Sequence, residues 1–185
     1  PLFLAVETNR RIIIEVLVKR GACVNVVDDY GCTPLKWAAE QNDTYLLDFL
    51  LKNGAIANMP DNRGKTPLMH AAKLCNTFAV ELLLNKGANV DDTCADGTAL
   101  IVACEKSAWV CVYLLLKHGA NTNLCDSEGR TALIGAVLAE DLQYRMCKAL
   151  LDNNANVNAS IATGRDRGWT ALMIAARLGL EDVVE

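Results

Sequence analysis

Apolar residues in this chain recur as short helical stripes that come in pairs. Within residues 61–93, Leu68, Ala71 and Ala72 are spaced at i, i+3 and i+4, which predicts one buried face of a first helix. A second apolar run predicts a second helix over residues 77–85. The small alanines allow this second helix to approach closely. The basic unit is therefore predicted to be two packed helices.

Turn and cap residues mark the ends of both helices. Residues 61–64, Asp-Asn-Arg-Gly, favour a turn because Asp and Asn bond their own backbone and Gly tolerates φ > 0. Thr66 can then cap the first helix, and Pro67 suits its first position. Gly87 is predicted to end the second helix in the left-handed conformation.

The whole unit recurs with a period of about 33 residues, which is the signature of a solenoid. Each unit of a solenoid contacts only its neighbours, so the fold offers a long binding surface and usually no catalytic pocket. A Gly-Ala pair marks the period at Gly21-Ala22, Gly54-Ala55, Gly87-Ala88 and Gly119-Ala120. A Thr-Pro-Leu or Thr-Ala-Leu tripeptide runs in phase with it at Thr33, Thr66, Thr98, Thr131 and Thr170.

Composition narrows the kinds of partner that the chain is expected to bind. Of 185 residues, 52% are apolar, which is enough to bury a continuous core between stacked units. The formal net charge is -4, so nucleic acid is not an expected partner. No apolar run approaches the roughly 20 residues that span a bilayer, so direct membrane insertion is not expected either.

The chemistry that most enzymes need is absent from the sequence. The eight cysteines form no Cys-x-x-Cys pair and the two histidines, His70 and His118, lie outside any metal-like cluster. No phosphate-binding loop or nucleophile motif is found. We therefore expect no enzyme activity, no metal and no cofactor. Scattered reduced thiols predict a cytoplasmic or nuclear location.

These motifs together resemble the ankyrin repeat. Asp-x-x-Gly-x-Thr-Pro-Leu-x-x-Ala-Ala, followed by Leu-Leu-x-x-Gly-Ala-x-x-Asn, is matched almost throughout by residues 28–58 and 61–88. The resemblance implies an all-α solenoid of antiparallel helix pairs with projecting β-hairpin-like loops, forming one domain over residues 1–185. The repeats would be approximately 1–27, 28–60, 61–93, 94–125, 126–164 and 165–185. Both ends fall within a repeat, so we expect the chain to be a segment of a longer protein with other domains.

The sequence departs from the family pattern at one recurrent position. The family has His directly after Thr-Pro-Leu, where this chain has Lys36, Met69, Ile101, Ile134 and Met173. His70 lies one residue further on and is interpreted as an ordinary packed helix residue. The hydrogen-bond network between loops is accordingly expected to be weaker than in regular repeats.

The fifth unit carries two further departures. Asn154 stands where the other units have the Gly of Gly-Ala, and Asn tolerates the left-handed conformation second best to Gly. The loop that follows is four residues longer than its counterparts, with the extra residues inside 159–167. This insertion is either a tolerated surface loop or part of a binding face. Arg165, Arg167 and Trp169 beside it favour binding, since exposed Trp and Arg are typical of interface hot spots.

The resemblance implies a non-catalytic protein-interaction module or scaffold that binds a protein of unknown identity on its concave face. Loop tips and the exposed side of the first helices would form that face, with Tyr30 and Trp169 as anchor candidates. For Tyr30, an isolated surface aromatic remains an equal alternative. The implied partner-binding residues are Tyr30, Cys32, Glu40, Gln41, Arg63, Lys65, Lys73, Asp96, Glu105, Arg130, Arg167, Trp169 and Arg177.

Two alternative functions remain open. The chain could be an architectural segment of a larger cytoskeletal or channel assembly. Less favoured is the sensing of a small oligoadenylate-type ligand, with Trp169 stacking on a base and the nearby arginines holding phosphate. The resemblance also implies that Asn25, Asn123 and Asn158 are candidates for hydroxylation, with a plain turn-forming role as the alternative.

Overall fold

Helices account for nearly all the regular structure in the computed structural model, which describes residues 1–184 and side chains as far as Asp182. They follow one another as short pairs, as the repeat pattern predicts. Their bounds are α1 Leu2–Glu7, α2 Arg11–Lys19, α3 Pro34–Glu40, α4 Thr44–Lys52, α5 Pro67–Lys73, α6 Thr77–Asn85, α7 Ala99–Glu105, α8 Trp109–Lys117, α9 Ala132–Leu138, α10 Gln143–Asp152, α11 Ala171–Leu178 and α12 Glu181–Val184.

The chain divides into two compact units, Pro1–Asn89 and Val90–Glu185. In the first unit α1 packs on α2, α3 on α4 and α5 on α6, while α1, α3 and α5 form one layer and α4 and α6 lie in the other. In the second unit α7, α9 and α11 form the inner layer and α8, α10 and α12 pack against them and one another. The fold class is confirmed. A single domain over residues 1–185 stays a prediction, and the division falls within the predicted repeat 61–93.

The helix ends follow the caps that the sequence predicted. The Thr33 hydroxyl accepts a hydrogen bond from Lys36 N at 3.1 Å, and the Thr66 hydroxyl accepts one from Met69 N at 3.4 Å. Helix α6 spans Thr77–Asn85, which is the predicted range. Gly87 then has φ +85°, so the left-handed end of this helix is confirmed.

The core consists of the repeated leucines and alanines. Leu35, Leu47, Leu68 and Leu83 are each at most 1% exposed, and Ala38 and its counterparts are fully buried. Burying a leucine side chain contributes about 1.5–3 kcal/mol, so these layers supply most of the stabilisation of each unit. The apolar stripes of the sequence thus became the interfaces between helices.

The projecting loops hold their shape through aspartate side chains. Asp28 Oδ1 accepts hydrogen bonds from Tyr30 N at 2.9 Å and Cys32 N at 2.8 Å, and Asp61 repeats the arrangement one repeat later. Neighbouring loops then bond to each other, since Asn62 N donates to Tyr30 O at 3.0 Å. Within the described residues these loops contain only isolated β-bridges and no sheet.

The insertion of the fifth repeat extends such a loop. Ile161 is buried, and its backbone pairs with both Gly168 and Trp169, which closes the extra residues into a hairpin-like turn. Ala162 N donates to Glu128 O at 2.8 Å, so the inserted segment also makes the contact to the preceding loop. The insertion is therefore anchored at its base while its tip, which carries Arg165 and Arg167, is exposed.

Candidate functional site

A groove of about 330 Å³ lies along the loop tips and first helices of the second and third repeats, inside the first unit. Its loop-tip walls include Tyr30 and Arg63, and its helical walls include Trp37, Lys73 and Leu74. We call these five residues and the space between them the first-unit groove. The volume lies at the small end of the range for ligand sites, which suits one or two side chains.

Trp37 is a half-buried wall of this groove with an unusual polar atom. Its ring packs edge-on against Phe3, with ring centres 6.0 Å apart, and the Lys36 ammonium lies 4.5 Å from the ring centre. The packing role expected for this residue is thus observed. Its indole nitrogen Nε1 is buried and has no hydrogen-bond partner among the described residues. Such a donor gains energy from any acceptor that reaches it.

His70 links the two repeats that form the groove. Its Nδ1 lies 2.9 Å from Glu40 Oε1 on α3, and its Nε2 lies 2.9 Å from Asp61 Oδ2 in the loop before α5. Lys36 Nζ holds the other Glu40 oxygen at 2.8 Å. A neutral imidazole has one N–H, so it donates to one of the two carboxylates, and the tautomer decides which. His70 is largely buried as expected, but no local sequence pattern indicates this bridge.

The bridge changes the acidity of both carboxyls. Burial raises the pKa of Glu40, but the hydrogen bonds from His70 and Lys36 outweigh it and lower the pKa below its ordinary value. Burial likewise raises the pKa of Asp61, and the N–H groups of Lys65 and Arg63 together with His70 bring it below the ordinary value. Both groups are therefore held as carboxylates.

The predicted contact residues of the first unit differ in exposure. Tyr30 is 75% exposed, and Gln41, Arg63 and Lys73 are exposed as well. Glu40 and Lys65 are partly buried, since Glu40 belongs to the bridge and Lys65 N bonds to the loop aspartate.

Cys32 contradicts the expectation of an exposed contact residue, because it is only 7% exposed. Its backbone N–H is drawn in by Asp28, and the thiol is too short to reach the surface from this position. The longer side chains at the equivalent position, Lys65 and Arg130, are half-buried. Burial also raises the pKa of the Cys32 thiol, which favours its protonated form.

In the second unit, Arg130 is surrounded by carboxylates. Its Nε lies 2.7 Å from Asp126 Oδ2 and 3.7 Å from Glu128 Oε2, and its Nη2 lies 3.6 Å from Glu105 Oε1. Burial raises the pKa of Glu105, and the Arg130 charge offsets only part of this effect. Arg130 is therefore paired with carboxylates of its own loop and of the end of α7, whereas the predicted contact Asp96 is exposed.

Trp169 is half-buried, not exposed as its position in the loop suggested. The Arg177 guanidinium lies over its ring, 4.5 Å from the centre, and is held there by Asp166 at 3.1 Å. The cation thus covers one face of the indole. Arg167 remains exposed beside this pair.

Asn25 bridges two repeats through its side chain. Its Nδ2 donates to Gly54 O at 3.0 Å, and its Oδ1 accepts from Ile56 N at 2.9 Å. The amide therefore satisfies both a carbonyl and an N–H of the following repeat. This is a wider role than the turn-forming one considered from the sequence.

Asn123 makes the same bridge in the second unit, and Asn158 does not. Asn123 Nδ2 donates to Asn154 O at 3.1 Å, and its Oδ1 accepts from Asn156 N at 2.7 Å. Asn158 is exposed, and its hydrogen bond runs from its own N–H to Asn156 Oδ1. Hydroxylation of the three asparagines stays a prediction.

Other hollows lie in the second unit. One of them, about 570 Å³, is a shallow recess between the start of α10 and the α11–α12 turn, lined by Tyr144, Arg145 and Glu181 among others. None of the predicted contact residues lines it. The smaller first-unit groove is the better candidate binding site, because both charged and apolar predicted contact residues line it.

Two other kinds of site are absent from the described part of the chain. No group of three or more His, Cys, Asp or Glu side chains there is arranged to hold a metal ion. No helix among residues 1–184 is long and apolar enough to cross a membrane. All eight cysteines are free thiols.

Paired helices, Asx-stabilised loops and inter-repeat asparagine bridges define a class of helical repeat protein, and comparison with known proteins supplies the family. The family model described as "Ankyrin repeats (3 copies)" matches residues 1–61, 37–124, 91–161 and 110–185. The chain therefore belongs to the ankyrin repeat family, whose domains are generally protein-interaction modules.

Individual relatives cover parts of the chain. It is 36% identical over 97 residues to human ankyrin repeat and SOCS box protein 16, which is 52% of this chain and 20% of that protein. It is 38% identical over 88 residues to human neurogenic locus notch homolog protein 4, which is 48% of this chain and 4% of that protein. The chain thus matches a fifth or less of either relative.

A solved structure matches over nearly the full length. The crystal structure of EF0377, an ankyrin repeat protein, superposes with a TM-score of 0.89 at 27% identity, covering 99% of this chain and 94% of that chain. This match supports the all-α repeat fold.

Proposed function

We propose that this ankyrin repeat segment binds a protein partner at the first-unit groove. The observation that carries the proposal is the combination of exposed apolar and unpaired cationic side chains around one recess. Tyr30 and Leu74 are 75% and 50% exposed, and Arg63 and Lys73 have no ion-pair partner among the described residues. Aromatic and Arg side chains around a recess are typical of interface hot spots.

The His70 bridge supports this function by fixing the groove before a partner arrives. It ties α3, the loop before α5 and α5 itself together through Glu40 and Asp61. A preformed surface loses little conformational entropy on binding, which favours affinity. The free thiols are the form that cysteine takes in reducing compartments, so we also propose a cytoplasmic or nuclear location.

A cross-linking pull-down from cell extract tests the proposal. The whole chain is compared with a Tyr30→Ala/Arg63→Glu variant, and circular dichroism checks that the variant is folded. Lys117→Glu serves as control because Lys117 is exposed on α8 in the second unit. We expect a set of captured proteins to be lost with the groove variant and retained with the control.

Capture of the same proteins by both variants would contradict binding at this groove. The architectural alternative, in which the chain is a segment of a larger assembly, would then be favoured. For the oligoadenylate alternative, quenching of tryptophan fluorescence by an oligoadenylate would have to depend on Trp169. Arg177 already occupies one face of that ring, so we do not expect such quenching.

A further inference from the structure

We infer that the segment that occupies the first-unit groove is an acidic peptide carrying one bulky apolar side chain. The inference rests on the proposed function and adds the chemistry of the partner. Some charges of the groove are paired with other residues of the protein, and the remaining charges are available to a ligand.

Each of the three carboxylates that line the groove already has contacts within the protein. Asp28 accepts from two loop N–H groups at 2.8 and 2.9 Å. Glu40 holds Lys36 at 2.8 Å and His70 at 2.9 Å. Asp61 accepts from two N–H groups at 2.9 Å, and its Oδ2 lies 2.9 Å from His70 Nε2. A basic ligand would therefore have to compete with bonds that shape the site.

The basic side chains of the groove, unlike its carboxylates, include some that have no ion-pair partner among the described residues. Lys36 is paired with Glu40 and Lys65 is half-buried, but Arg63 and Lys73 are exposed and have no ion pair among the residues that the structure describes. Arg63 stands at the loop tip and Lys73 at the end of α5, so the two flank the same recess. The local charge offered to a ligand is thus positive although the chain as a whole has a net charge of -4.

The apolar surface of the groove indicates that the ligand has an apolar side chain as well as a negative charge. Leu74 and Tyr30 present exposed apolar surface beside the two cations, and the recess of about 330 Å³ holds one bulky side chain. Negative charge for the two cations and a bulky apolar side chain for the recess are together the features of an acidic peptide.

Nucleic acid fits the same observations less well. Phosphate-backbone binding depends on several cations along a track, and among the described residues that line this groove only Arg63 and Lys73 are exposed cations without an ion pair. Asp29 is also exposed at the neighbouring loop tip and would repel a polyanion. A short peptide with its carboxylates directed at Arg63 and Lys73 avoids that repulsion.

The test is a selection of binders from a random peptide library against the immobilised whole chain. Enriched peptides are synthesised with a fluorescent label and titrated against wild type and Arg63→Glu/Lys73→Glu. The matched control is Lys117→Glu/Lys148→Glu, which changes the net charge equally at two exposed lysines of the second unit. A third variant, Tyr30→Ala/Leu74→Ala, removes the apolar walls without changing charge.

We expect peptides rich in Asp and Glu with one aromatic or large aliphatic residue. Their affinity should fall about tenfold or more in the groove charge variant, change less than about twofold in the matched control, and weaken as salt rises. Peptides that lose binding in Tyr30→Ala/Leu74→Ala but are not acidic, or are insensitive to Arg63→Glu/Lys73→Glu, would overturn the acidic-peptide inference while leaving the groove as a binding site.

Peptides insensitive to every groove variant would overturn the inference and the proposed groove together. A selection without any binder also overturns the peptide inference, and the pull-down described above then decides the groove separately. The outcomes therefore distinguish a wrong partner chemistry from a wrong site.

Discussion

His70 Nδ1 lies 2.9 Å from Glu40 Oε1, which connects the first helices of two neighbouring repeats through a single charge-assisted contact. The opposite ring nitrogen lies 2.9 Å from Asp61 Oδ2 in the loop that precedes α5. The imidazole thus joins one helix, the next helix and a loop tip. It does so one residue beyond the position that the family pattern assigns to a histidine.

We expect His70→Ala to destabilise the protein by about 1–3 kcal/mol, because two largely buried carboxylates lose a hydrogen-bond donor. Urea denaturation followed by circular dichroism measures the change. His118→Ala is the matched control, since His118 is exposed after α8 and its removal should cost less than about 0.5 kcal/mol. Equal stability of the two variants would show that the bridge contributes nothing.

The lowered pKa values of Glu40 and Asp61 predict acid sensitivity. A carboxyl whose folded pKa lies below its unfolded value contributes stability above the unfolded value, about 4, and loses it as pH falls through the folded pKa. The urea midpoint should therefore fall steeply below about pH 4. Glu40→Gln should cost about 1–3 kcal/mol at neutral pH and progressively less as the wild-type carboxylate is protonated. A constant difference at all pH values would contradict this account.

Glu105 occupies the equivalent position two repeats later, and we predict the opposite response. Burial raises the pKa of its carboxyl, so its charge opposes folding once pH exceeds the folded pKa, and the stability it contributes is present below the ordinary value. Glu105→Gln should then be neutral or stabilising at neutral pH, because Arg130 keeps its 2.7 Å contact with Asp126. The same denaturation series on both glutamine variants makes the comparison, and a loss as large as that of Glu40→Gln would refute it.

The asparagine bridges give a prediction about coupling between repeats. Asn25→Ala removes a donor to Gly54 O and an acceptor for Ile56 N, and should cost about 1–2 kcal/mol. Asn158→Ala changes a chemically identical residue at the matching repeat position, but this side chain is exposed and makes no such bridge. We expect little effect there. Thermal unfolding of the two variants side by side decides whether the bridge or the asparagine itself matters.

The sequence was sufficient to predict the helices but not the contacts between ionisable side chains. The stripe at Leu68, Ala71 and Ala72 and the cap at Thr66 are local signals, so α5 and α6 could be predicted closely. The pairing of His70 with Glu40 joins residues 30 positions apart and depends on the register of two repeats, which no local pattern carries. Periodicity locates a residue in its repeat, but side-chain length and competing partners decide its exposure.

The exposure errors at Cys32 and Trp169 share this cause. Both occupy the loop position before the capping threonine, yet the thiol is drawn inward and the indole is covered by Arg177. A repeat alignment treats the position as one class of surface residue. The neighbouring side chains, which differ from repeat to repeat, determine the outcome.

Asn154 ends α10 with φ +63°, where four other repeats use Gly at φ between +81° and +88°. A residue with a Cβ in this conformation is strained by about 1–2 kcal/mol, and asparagine lessens that cost. We expect Asn154→Ala to destabilise the second unit by about 1 kcal/mol and Asn154→Gly to leave it unchanged or more stable, since the hydrogen bonds at this site use backbone atoms of Asn154. Amide hydrogen exchange in the last turn of α10 reports the local change, with Asp152→Ala as an exposed control expected within about 0.5 kcal/mol. Faster exchange in the glycine variant than in the wild type would show that the asparagine side chain, not the left-handed backbone, sets the stability of this helix end.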